Sequence, residues 1–432
     1  ATLTAANTAA DATASAEEVV AGETFTLTTG LDTVVGGAGD DVIIANDTAG
    51  NQTLTALDAI DGGEGSDTLV LTSIAAVSSL APAGSSVTGI ESVAITSAGT
   101  VAANTSAWTD VTTLTLVGIG NSSATAATTT DVVAAVTAGD LAVTGGNGVT
   151  ATSTAGDVTI SGSAGDVVVV TTGDASISTS TGAIVATITA GDVTITTSEG
   201  AIAASTTAGD MLITTSEGDI TASTTAGDVT ITTSEGDITA STTAGDVTIT
   251  TSEGDVTATS TAGDVTIATA LGDVTATATA GAVTITGAAA DVTSSNGGGA
   301  VAITGAGSIN STTTAQAANN VVVNGGTDVV ISAAGQTTGT ISVGATTAPS
   351  GSVSVSAAGG YADADVTLGA ISVAGGTSVT VDVSTGITAA LAAAAIIDTS
   401  NNTITTGDVS VTGIAGTTAV SVSQPATVAA VD

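Results

Sequence analysis

Through the middle of this chain apolar and polar residues alternate in short runs, and a glycine punctuates each run. Gly191, Gly200, Gly209, Gly218 and their successors to Gly281 keep a constant spacing of nine. Alternation of this kind is the signature of a strand with one buried face, and the Gly-Asp pair after most runs supplies turn chemistry. Upstream the period continues from Gly139 to Gly182, with two intervals of eight. The units are of two kinds, AGDVTITTS (Ala226 to Ser234) and EGDITASTT (Glu235 to Thr243), which alternate to give a true period of eighteen. One strand and one turn per nine residues, with two unlike faces, predict an all-β fold: an elongated parallel β-solenoid with about two strands per 18-residue coil. Val229 and Ile231 are expected to point inward against Ile238 and Ala240, with Thr230 and Thr232 outward. At ~4.8 Å per coil the array predicts roughly eight coils and a rod of about 40 Å.

The flanks follow the pattern less strictly. Residues 1–29 lack repeat glycines and read as an extended segment with a strand near Phe25, a candidate donor strand for a neighbour's sheet edge. Beyond residue 297 the segments GSVSV (Gly351 to Val355), GAISV (Gly369 to Val373) and GDVSV (Gly407 to Val411) recur at irregular spacing. Residues 298–432 are therefore expected to form an irregular β-rich solenoid or a sandwich. The longest apolar stretch, Ile387 to Ile397, is too short to span a bilayer and reads as a turn of helix or a strand pair. The chain starts at Ala1 without an initiator Met, which fits a processed or partial piece, so an anchor or a secretion signal can lie outside it.

Composition sharpens the architecture. The chain is 42% hydrophobic but only 1% aromatic, with single copies of Trp, Tyr, Phe and Met. Ala and Val fill a thin core between closely spaced β-layers, where large rings do not fit. The 3 prolines fit the same picture, since Pro cannot donate to a ladder.

Charge then removes most chemistry. The chain has no Lys, Arg or His against 40 Asp and Glu, a formal net charge of -40. Amine and imidazole bases, arginine phosphate clamps and basic nucleic-acid patches are all excluded. Proteases that cut after Lys or Arg find no site. The chain has no Cys, so thiolate metal sites and disulfides are excluded too. Every carboxylate must be solvated, hydrogen-bonded to backbone N–H, or neutralised by a cation from outside.

Two segments follow the pattern G-G-x-G-x-D-x-U-x: GGAGDDVII from Gly36 to Ile44 and GGEGSDTLV from Gly62 to Val70. Glycines let backbone carbonyls converge and the sixth-position acid adds a carboxylate, a hard oxygen set suited to Ca²⁺. Asp32, Asp40, Asp47, Asp58, Asp61 and Glu64 raise the local charge. These residues resemble the haemolysin-type, repeats-in-toxin calcium-binding proteins. With FTLTTGLDTVVGGAGDDVI (Phe25 to Ile43), GIESVAITSAGTV (Gly89 to Val101) and SAWTDVTTLTL (Ser106 to Leu116), the first quarter looks like bacterial S-layer and related surface-array proteins. The resemblance implies a calcium-binding β-domain over residues 30–125, beside a nonapeptide-repeat solenoid over 126–297. It implies Asp41 and Asp67 as carboxylate ligands, with carbonyls near Gly36, Ala38, Gly62 and Glu64; the neighbouring acids Asp32, Asp40 and Asp61 are further candidate ligands by their closeness in sequence. Because the two nonapeptides are 26 residues apart, they are expected not to stack as consecutive turns.

In the array, the Asp after each repeat glycine forms two ladders, with Asp210, Asp228, Asp246 and Asp264 on one edge. Asp219, Asp237, Asp255 and Asp273 line the other, joined by Glu199, Glu217, Glu235 and Glu253. Like charges stacked at about 5 Å repel, so either backbone N–H groups absorb them or cations bridge them. Rows of Thr such as Thr230 and Thr248 resemble those of ice-binding solenoids, and equally suit plain solvent-facing strand positions or O-glycan acceptors. A carboxylate pair for glycoside hydrolysis lacks the aromatic walls of a sugar cleft, so no enzyme is expected. The expected function is a secreted structural protein that self-assembles with identical subunits into a calcium-stabilised S-layer or extracellular filament at a bacterial cell surface. The alternative is a surface adhesin or stalk, and after it an ice-binding solenoid. Neither nucleic acid nor membrane insertion is expected, and attachment to a cell-surface glycan or anchor outside this chain fits either reading.

Overall fold

A computed structural model describes residues 20–48, 51–77, 80, 84–359, 366–389 and 404–430. Among them there is no helix, and the chain forms a parallel β-solenoid of about 17 turns. At ~4.8 Å per turn this makes a rod of roughly 80 Å, about twice the length expected from the strict array alone. The reason is that stacking needs only an alternating strand and a turn per side, not a constant nine.

Two long parallel ladders form the walls. In one, Ile220–Thr224, Ile238–Thr242 and Val256–Ser260 lie in register, Ile220 over Ile238 over Val256. In the other, Met211–Ser216, Val229–Ser234 and Val247–Ser252 do the same, with Ile213, Ile231 and Ile249 in one column. Val229, Ile231, Ile238 and Ala240 are all buried, and Thr230 and Thr232 face outward. The core is one side-chain layer from each wall, as the near absence of aromatics implies.

Its corners are polar, which periodicity alone does not announce. Thr224 and Thr242 turn inward and donate to the carbonyls of Gly209 and Gly227 at 3.0 and 2.8 Å. At the opposite corner Ser216 and Ser234 donate to Gly218 and Gly236 at 3.0 and 3.2 Å. These buried hydroxyls satisfy turn carbonyls that would otherwise be desolvated without a partner. The turn glycines are required by close approach: a Cβ on Gly245 would lie 2.0 Å from the Gly227 carbonyl oxygen.

The ladder crosses both flanks without a break. Thr113–Gly118 pairs in parallel with Asp131–Val136, and Val292–Asn296 with Ile309–Thr313, so residues 125 and 297 are not interruptions of the sheet. Towards the start the coils lengthen: Val42 pairs with Thr68 and Thr68 with Ser92. A third, short parallel sheet of Thr33–Val35, Ala59–Asp61 and Ser86–Thr88 forms their extra side. These wider coils enclose bulkier residues, Leu69, Leu71, Ile95, Leu114 and the chain's single Trp, Trp108, all buried.

Towards the end the solenoid continues, rather than a sandwich, with Val353 pairing with Val379 and Val379 with Val420. Of the candidate donor segment, Thr24–Thr26 is already a rung, paired with Val42 to Ile44, while residues 1–19 lie outside the described residues. Residues 387–389 end the strand Ser378–Ala389, and the rest of the apolar stretch also lies outside. Among the described residues no helix is long and apolar enough to cross a membrane.

Candidate metal centre and acidic edges

The two nonapeptides stack directly on one another, contrary to the expectation from their separation. A 26-residue interval is one full turn of the wider coils, so Val42 to Asp47 run in register with Thr68 to Ser73. The glycines allow this approach. A Cβ on Gly36 would lie 1.8 Å from the Gly62 carbonyl oxygen, and one on Gly62 would lie 1.8 Å from that of Gly89. Gly63 and Gly65 adopt positive φ, 99° and 137°, where a side chain is strained.

Asp41 and Asp67 are both buried at this stack. Asp41 Oδ1 accepts the Glu23 N–H at 2.6 Å and its Oδ2 accepts the Gly37 N–H at 2.8 Å. Asp67 Oδ1 accepts the Asp41 N–H at 2.7 Å, and the Asp67 N–H donates to Glu91 Oε2 at 2.7 Å. Each acid thus caps the coil before it. Asp67 Oδ2 is buried with no hydrogen-bond partner. Burial pushes the Asp67 carboxyl above the usual range; the Asp41 N–H opposes this, and the charges of Asp41, Glu91 and Asp40 add to the rise.

The other expected ligands spread along the same flank. Asp40 Oδ1 accepts the Ser66 N–H at 2.9 Å, and Asp32 accepts the N–H and hydroxyl of Thr28 at 2.8 and 3.0 Å. Asp58, fully buried, accepts the Asp32 N–H at 2.9 Å and the Thr55 N–H at 2.5 Å. Asp61, Glu64 and Ala38 are exposed, and the Glu64 N–H donates to the Gly37 carbonyl at 2.9 Å. Among the described residues no three acids converge as a ready metal cluster. What remains for a hard cation is one candidate oxygen, the unpartnered, buried Oδ2 of Asp67 beside Gly62 at the stack of the two nonapeptides. Glu91 and Asp110, which caps the Gly89 N–H at 3.0 Å, belong to this flank and were missed from the sequence. The signal for Glu91 was available: it stands directly before its strand, as Asp41 and Asp67 do.

In the array the capping runs the other way. Asp228 Oδ1 accepts the Asp246 N–H at 2.8 Å and Asp246 Oδ1 accepts the Asp264 N–H at 2.7 Å. On the opposite edge Asp219, Asp237 and Asp255 accept from Asp237, Asp255 and Asp273 at 3.0, 2.8 and 2.8 Å. Backbone N–H groups therefore take one oxygen of each of these aspartates, and the exposed remainder faces solvent. At Asp328 the hydroxyl and N–H of Ser352, at 2.6 and 2.7 Å, hold the carboxyl below its usual range. Asp237→Ala is expected to cost about 1 kcal/mol by orphaning the Asp255 N–H, read as faster amide exchange at Asp255. Unchanged exchange there would deny the ladder a structural role.

Comparison with protein families and with curated proteins returns no match.

Proposed function

We propose that this chain is a secreted structural protein that self-assembles, with calcium, into a surface layer or extracellular filament. The observation that carries the reading is the distribution of charge on a long rod. In the array the acids sit at turns, the aspartates tied to the next coil by backbone N–H groups, while the strand faces between them are Thr, Ser, Ala and Val apart from Leu212. A molecule of this kind has stiffness and repeating surface. One surface groove, about 340 Å³, is lined by Val77, Thr100, Asn121 and Asp140, among others, and gathers no acid–base pair.

Calcium enters the reading through Asp67. The free, buried oxygen there lacks a proton donor, and the chain has no cationic side chain to supply one. A divalent ion at the Asp41–Asp67 stack supplies that missing charge and clamps two coils. Calcium-rich surroundings outside a cell suit such a protein. Electron microscopy of the purified protein tests the reading. Ordered lattices or filaments are expected with millimolar Ca²⁺ and dispersed rods with chelator; dispersed rods in both would overturn it.

A further inference from the structure

We propose that copies of this chain pair face to face through the outer surface of the sheet that holds Thr113–Gly118, Asp131–Val136, Val149–Ser153, Val167–Thr171 and Ile184–Ile188. The inference rests on the self-assembly reading above and names one surface that contributes to it; a lattice or filament needs a further contact besides this one.

Charge selects this surface. From the strand Thr68–Ser73 to the strand Val292–Asn296, the outward positions of this sheet carry no acid except Asp131, which opens its strand at the turn. Two copies of a chain with formal charge -40 and no cation repel wherever their edges meet. The flat faces are where they meet without burying a carboxylate, whose desolvation is costly.

Apolar character selects one of the two faces. Val117, Val133, Val170 and Val185 are 43%, 44%, 45% and 44% exposed on it. The register joins them into one patch: Val133 and Val168 flank Thr150, Val168 lies beside Val185, and Val170 beside Thr152. The opposite sheet presents Thr159, Ser161, Ser176 and Ser178 at the same level, and its Leu212, 41% exposed, has Thr194 and Thr230 beside it rather than further apolar residues. Exposed valines in an uncharged, in-register row favour a dry contact with an identical row.

Area is sufficient. About a dozen strands of this sheet, each ~17 Å long and ~4.8 Å from the next, offer roughly 1,000 Å² per copy, about 400 Å² of it from the five strands named above and the rest from strands faced mainly with Thr, Ser and Ala. Stable interfaces need about 800 Å² per partner. With the same patch on both copies the contact is isologous and closes as a pair. Paired sheets sit ~10 Å apart, so the acidic edges of the two copies run alongside within about one Debye length. Pairing should therefore strengthen with added salt or Ca²⁺.

Sedimentation velocity at millimolar Ca²⁺ tests this with Val133→Glu/Val170→Glu and, as a charge-matched control, Thr159→Glu/Ser176→Glu on the opposite sheet. The wild type and the control are expected to associate, and the face variant to lose association at least tenfold with its melting temperature unchanged. If the face variant associates like the wild type, or the control loses association equally, this surface is wrong while self-assembly stands. A wild type that stays monomeric at every calcium and salt concentration removes the self-assembly reading, and this one with it. Should the face variant melt early, Thr150→Cys decides, because the chain has no other cysteine. A short bismaleimide should link Thr150→Cys chains into covalent pairs, and absence of that link would count against the proposal.

Discussion

Gly62→Ala should lose roughly 3–5 kcal/mol of local stability, the range reserved for changes that the surrounding structure cannot absorb. The added Cβ would lie 1.8 Å from the Gly89 carbonyl oxygen and 2.5 Å from Asp67 Oδ2, so two coils must separate. Gly37→Ala is the control. A Cβ there meets nothing within 4 Å, and its effect should stay within about 0.5 kcal/mol. A stacked repeat rod can open in parts, so the readout is amide exchange along Val42–Thr48 and Thr68–Ser73 rather than a single unfolding midpoint. Equal protection in the two variants would mean that the nonapeptides do not stack as described.

In buffer free of divalent ions, Asp67→Asn should stabilise the chain by about 1–2 kcal/mol at pH 7, because it removes a buried charge with an unpartnered oxygen. The amide keeps an acceptor for the Asp41 N–H. The sign of the pH dependence follows from the raised carboxyl of Asp67. Between the ordinary value near ~3.9 and the raised one, the folded chain holds more protons than the unfolded chain. The contribution of Asp67 to stability is therefore full below the ordinary value and is lost as pH rises through the raised one. The gap between variant and wild type should close as the pH falls towards about 4. A variant that is less stable than the wild type at every pH would show that the Asp67 charge is already balanced.

The regular part of the fold was legible because its physics is local. Alternation in V-T-I-T and I-T-A-S fixed which side chains face inward, and the 18-residue period fixed which of them stack, as Val229 under Val247 shows. The flanks were harder to read because coil length is not encoded by alternation. Asp41 and Asp67 stack although 26 residues separate them, since the extra residues form a third short side that no periodicity marks. The inward hydroxyls of Ser234 and Thr242 were also hidden, because Ser and Thr at a strand end read as polar surface until the turn carbonyls that they satisfy are in place.

The acids show the same division. Their position at turns was plain from Gly-Asp, but not their direction. Glu23, Asp41 and Asp67 donate their N–H groups forward to the next acid, whereas Asp246 and Asp264 donate back to the preceding one. Coil width does not set that choice, since Ser66 and Ser352 donate back to Asp40 and Asp328 across separations of 26 and 24 residues. Because backbone N–H groups absorb one oxygen per aspartate in the ladders, outside cations are needed less by those aspartates than at Asp67, where an oxygen is buried and bare.

Thermal unfolding of the wild-type chain in millimolar Ca²⁺ and after exhaustive chelation, at matched ionic strength, tests most directly whether external divalent ions replace the missing protein cations. The account predicts a melting temperature lower by about 10 °C or more without calcium, with protection lost first between Val42–Thr48 and Thr68–Ser73. The same melting temperature in both conditions would contradict it.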